Sequence, residues 1–130
     1  MFLRRVFSED ERQTAIFNAM YSEYGKSNKK RFPKDFNPSG FYEEEYLILT
    51  NIEDIKGFLI LHHEREQKGV NIVALHIRNV SSDEEYTILH RDILLTLKKL
   101  FSEVYISTTD EFNFISKVFD LKPVYIKYRL

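Results

Sequence analysis

The sequence predicts an α+β domain built on a mixed, mostly antiparallel sheet, and three observations carry that expectation. Residues 46–50, 57–63 and 70–80 are apolar, β-rich runs joined by short polar connections, as in an antiparallel meander. Residues 83–101 place Tyr86, Leu89, Ile93, Leu94, Leu97, Leu100 and Phe101 at offsets of three and four, a single apolar stripe on a long helix. Residues 104–107 then form a strand, so the helix is a crossover that makes 70–80 and 104–107 parallel neighbours.

The remaining elements follow in order. Residues 2–7 read as a short strand, and Ser8 as an N-cap with Glu9, Asp10 and Glu11 in the first turn of a helix over 9–24. Ile16, Phe17, Met20, Tyr21 and Tyr24 give that helix its buried face, and Gly25 its C-cap. Residues 26–42 carry Lys26, Lys29, Lys30, Arg31 and Lys34 among Pro33, Pro38 and Gly40, which is a loop signature. Residues 51–56 read as a turn, and 57–63 as a central strand covered on both faces. Ser81, Ser82 and Asp83 offer caps for the long helix. Thr108 or Thr109 caps a short helix with Phe112, Ile115, Val118 and Phe119 inward, and residues 123–128 form a last strand.

With 130 residues, 43% hydrophobic and 30% charged, the chain supports one domain over 1–130 and excludes a disordered or low-complexity class. The absence of cysteine excludes a disulfide scaffold, a thiolate metal site and a cysteine nucleophile. A net charge of −1 gives no broad pull toward nucleic acid or an anionic membrane. No run approaches the roughly 20 apolar residues of a membrane span, and no apolar stretch with a cleavage site opens the chain, so the expectation is a cytoplasmic protein.

The succession of elements, closing with Val118-Phe119-Asp120-Leu121-Lys122-Pro123-Val124-Tyr125, resembles the GNAT superfamily of acyl-CoA-dependent N-acetyltransferases over nearly the whole chain. The resemblance implies a GNAT-like sheet flanked by helices on both faces, acetyl-CoA as cofactor, no metal, and transfer of an acyl group to a small-molecule or protein amine. It implies backbone contacts to the pantetheine arm from the end of the fourth strand, at Ile77, Arg78, Asn79 and Val80. Further cofactor contacts fall at Thr87 and Thr109. It also places the acceptor amine beside His76, with His76 and Glu64 as candidate bases.

Two positions depart from the family pattern. Where its members carry Arg or Gln, two residues, Gly, one residue, then Gly or Ala, this chain has Ser81-Ser82-Asp83-Glu84-Glu85-Tyr86-Thr87-Ile88, with no glycine and three consecutive carboxylates. Glycines there let the backbone approach a diphosphate, and carboxylates repel one. Where many members place a Tyr as the acid for the leaving thiolate, this chain has Ser116, a far weaker proton donor.

Three functions stay open at this point. They are a divergent acyltransferase, a GNAT-like protein-binding or regulatory module (with a protein partner or a second copy), and a nucleic-acid-associated protein using the basic run of residues 26–34. Two histidine groups read as ordinary polar residues. His62-His63-Glu64 would need His76 beside His62 to bind a metal. In His90-Arg91-Asp92, His90 borders the apolar stripe while Arg91 and Asp92 face water, and the group reads as a solvated helix face.

Overall fold

The computed structural model describes residues 1–27, 42–51, 54–63 and 69–106. These form β1 (Phe2–Arg5), α1 (Glu11–Ser27), β2 (Tyr42–Asn51), β3 (Asp54–His63), β4 (Gly69–Ile77), α2 (Asp83–Leu100) and β5 (Glu103–Ile106). The five strands make one sheet in the order β1-β2-β3-β4-β5. The first three pairings are antiparallel. The fourth, between β4 and β5, is parallel, with Gly69 opposite Glu103 and Ile72 opposite Ile106. This is the crossover expected from the helical stripe between them.

The side-chain alternation of the central strands builds two cores. On one face Ile48, Leu59, Leu61, Val70, Ile72, Leu75 and Ile77 pack under Leu89, Ile93, Leu94 and Leu97 of α2. On the other, Leu47, Leu49, Phe58, Ile60 and Ala74 pack under Phe17, Met20 and Tyr24 of α1. The α1 face is aromatic: Phe58 lies edge-on to Phe17 and Tyr24 at ring separations of 5.3 and 5.5 Å. Full burial of each such side chain is worth about 1.5–3 kcal/mol before entropy is charged against it.

A bulge lets β4 serve both cores. Ile60 pairs with Ala74 and Leu61 with Ile72, leaving Val73 as the extra residue. An extra residue reverses the alternation and bends its strand. Val70 and Ile72 before it, and Leu75 and Ile77 after it, therefore face the same core. The bend falls directly after Ile72, where the described pairing with β5 stops. Beyond the bulge β3 and β4 run very close, since a Cβ added at Gly57 would lie 1.8 Å from the His76 carbonyl oxygen.

Several expected boundaries move. Residues 42–45 and 54–56 extend β2 and β3, so residues 51 and 54–56 of the turn expected over 51–56 are strand. Helix α1 is capped by Asp10, whose carboxylate accepts from the Gln13 amide at 3.0 Å, and not by Ser8. It continues past Gly25 to Ser27, so Gly25 is not a C-cap. β4 ends at Ile77, and residues 78–80 belong to the turn that follows. The basic run from residue 28 onward, and the helix and strand expected after residue 107, lie outside the described residues. Among the described residues no helix is long and apolar enough to cross a membrane.

Candidate functional site

The turn from β4 into α2 occupies the position where the family resemblance places a diphosphate. It starts with Arg78, whose amide donates to the Lys56 carbonyl at 2.7 Å and prolongs the β3–β4 ladder by one bond. Asn79 takes φ 54°, the left-handed region that Asn tolerates better than most residues. Ser82 is the N-cap, and its hydroxyl accepts from the Glu85 amide at 3.1 Å. The Glu85 carboxylate returns to accept from the Ser81 amide at 3.0 Å and from the Ser81 hydroxyl. This is a capping box displaced by one residue, and it satisfies the turn from within.

Lys56 ties this turn to the sheet. Its ammonium donates to the Asn79 carbonyl at 2.8 Å and pairs with Glu85 at 3.3 Å and Asp54 at 3.5 Å. Asp54 also accepts from the Thr50 hydroxyl at 2.6 Å. The two hydrogen bonds from Ser81, followed by Lys56, hold the Glu85 carboxyl down to about 2, so it is ionised at neutral pH. Burial works to lower Lys56, but Glu85 and Asp54 outweigh it and raise the ammonium above its ordinary value.

The result is a helix start supplied with its own anions. Asp83, Glu84 and Glu85 fill the first turn, where negative charge favours the helix dipole. An incoming diphosphate would compete with Glu85 for the Ser81 donors and meet two further carboxylates. Each like-charge pair at about 4 Å costs about 1 kcal/mol in water and about 4 kcal/mol where water is partly excluded. Beside this turn lies a groove of about 590 Å³ lined by Met1, Thr50, Asp54, Lys56, Ser82, Glu84, Glu85, Ile88, Leu89 and Asp92.

The other residues singled out from the sequence are spread over the fold. The His76 ring packs at 5.3 Å from Tyr24 and 5.6 Å from Phe58, on the α1 face. Ile77 is buried in the opposite core. Arg78 pairs with Glu23 of α1 at 3.0 Å, and Val80 packs against the α2-face core. The Thr87 hydroxyl donates to the Asp83 carbonyl at 2.9 Å, one helical turn back. Glu64, Thr109 and Ser116 lie outside the described residues.

The structure separates the histidines of one group and buries the histidine of the other. His62 pairs with Asn71 while His76 pairs with Phe58, which separates the histidines by four residues, about 13 Å along the sheet. They do not form a ligand pair, and among the described residues no group of three His, Asp or Glu could hold a metal ion. His90 is only 1% exposed, so it belongs to no solvated face. Its Nδ1 lies 2.8 Å from the Tyr86 carbonyl and its ring 4.3 Å from the Tyr86 ring.

One cluster was missed from the sequence. The Glu44 carboxylate, 12% exposed, joins three strands on the α2 face. It pairs with Arg5 of β1 at 3.2 Å, meets His63 Nε2 of β3 at 3.1 Å, and accepts from the Tyr46 hydroxyl. Burial, then the Glu44 carboxylate, push the Tyr46 phenol up to about 12, so it remains a donor. The Arg5 guanidinium lies 5.8 Å from the Tyr46 ring centre and 5.3 Å from that of Phe7, and the His63 ring lies 5.4 Å from Phe101. The only sequence signal was an acidic run, 43–45, directly before an apolar strand.

Compared with known proteins, the chain matches no protein-family model and no curated protein.

Proposed function

We propose that this chain is a GNAT-like domain acting as a protein-binding or regulatory module rather than as an acyl-CoA-dependent acetyltransferase. The observation that carries this reading is the Glu85 carboxylate. It accepts the Ser81 donors at the start of α2, and Lys56 holds it there as an anion. A site with its own carboxylate in the diphosphate position has no free role for coenzyme A.

Thermal unfolding with acetyl-CoA tests it. A ligand at 100 times its Kd stabilises by about 2.7 kcal/mol, a rise of several degrees for a domain of this size. At about 1 mM acetyl-CoA, the expected result is no rise in Tm. A rise of several degrees overturns the reading. The Glu84→Arg/Thr87→Gly double variant, which restores the resemblance's pattern in part, is expected to gain a shift if the loop alone is the obstacle.

A second reading, a divergent N-acetyltransferase, is favoured by the bulge at Val73. It bends β4 directly after Ile72, beside the strand β5 that pairs with it in parallel, which suits an acyl arm entering between the two strands. In that reading the half-buried His76 is the candidate base for the amine, and backbone donors supply electrostatic stabilisation.

A further inference from the structure

We infer that the groove beside the first turns of α2 docks a basic, amphipathic segment of a partner protein; the inference rests on the protein-binding reading above and names its surface.

The groove has an apolar floor. Met1, Ile88 and Leu89 line it, and Ile88 is 38% exposed although it is a large aliphatic side chain. Leu95, 44% exposed, stands seven residues further along α2. Seven residues are nearly two full turns, so Leu95 continues the same strip beyond the groove. Isolated exposed apolar residues need no explanation, but these two share one helix face, with Asp92 between them and the groove at their N-terminal end.

Charge selects the occupant. Among the described residues, four acidic side chains, Asp54, Glu84, Glu85 and Asp92, line the groove against one basic side chain, Lys56, on a chain whose net charge is −1. Lys56 is already engaged by Asp54, Glu85 and the Asn79 carbonyl. Anionic lipid and acidic segments are repelled by such a rim. A segment with apolar anchors on one face and Lys or Arg beside them meets both the floor and the rim, as a helix in a groove does.

The probe is a fluorescein-labelled amphipathic peptide of about 15 residues, Leu on one face and Lys on the other. Its control carries Glu in place of Lys. Binding to the full chain is followed by anisotropy at about 0.1 M and about 1 M salt, where screening lengths are about 10 and 3 Å. The expected result is binding of the Lys peptide alone, weakened by salt. Glu84→Lys/Asp92→Lys and Ile88→Ser should each weaken it at least about tenfold. Only the charge variant should also flatten the salt dependence. Lys98→Glu, in the last turn of α2, should leave binding unchanged.

Equal binding of the Glu peptide, no binding of either peptide, or indifference to both groove variants overturns the inference. So does self-association in sedimentation that Ile88→Ser abolishes, because the occupant is then a second copy. Melting curves of each variant establish that the fold persists. Stabilisation by acetyl-CoA would sink the module reading and leave the peptide result standing. Failure of the peptide alone would sink only the groove.

Discussion

The two ends of α2 each hold a carboxylate in a web of ion pairs, but the webs differ in depth and in what they join. Near the C-terminal end Glu44 is 12% exposed and links β1, β2 and β3 through Arg5, Tyr46 and His63. At the N-terminal end Glu85 is more exposed, and it joins a turn to one lysine of β3. A carboxylate removed from water must keep its partners, or its desolvation goes uncompensated. An exposed one can exchange partners for water at small cost. The C-terminal cluster therefore fastens the sheet, while the N-terminal one braces the turn at the helix start.

The sharpest way to break this contrast is to remove the deeper carboxylate. Glu44→Ala leaves Arg5, Tyr46 and His63 without their shared acceptor, and is expected to cost about 3 kcal/mol in urea unfolding. Glu44→Gln keeps an acceptor for Tyr46 and should recover part of that loss. A loss no larger than that of an exposed pair, below about 1 kcal/mol, would show that Glu44 does not fasten the strands.

At the other end Ser82→Ala is expected to cost about 1 kcal/mol, the usual worth of a side-chain N-cap. Its hydroxyl is the acceptor for the Glu85 amide, so the loss should appear in unfolding without changing the sheet. An effect as large as that of Glu44→Ala would erase the difference between the two ends.

These two ends were unequally legible in the sequence. The helix start could be read because its signals are local: serines before a run of acids, then an apolar stripe with period near 3.6. The same stripe could have placed His90 inside, since 86, 90, 93 and 97 share one face. The parallel pairing of β4 and β5 followed from a helix lying between two strands. Nothing local marked the Glu44 cluster, because it exists only once Arg5, Glu44 and His63 are brought together by the register of three strands. The bulge was equally silent. Residues 72–75 are apolar without interruption, so alternation could not show where the register slips. Lys56 looked like a turn residue, and its role depends on the strand that carries it beneath α2.

The smallest expected effect at neutral pH concerns Glu85 itself, and acid separates it from the background. Its carboxyl is held down to about 2 from an ordinary value of 4.5, first by the Ser81 hydrogen bonds and then by Lys56. A carboxyl lowered in the folded chain contributes stability that is complete above its unfolded value and fades as the pH falls through the folded one. Glu85→Gln should therefore change unfolding most above pH 4.5 and converge on the native protein as the pH approaches about 2. Salt should shrink the difference, because the group is exposed and Lys56 is its charged partner. Urea midpoints of both proteins, measured between neutral pH and the acid limit, decide the matter. Parallel curves across that window would mean that Glu85 titrates as an ordinary surface acid, without the Ser81 and Lys56 contacts that lower it.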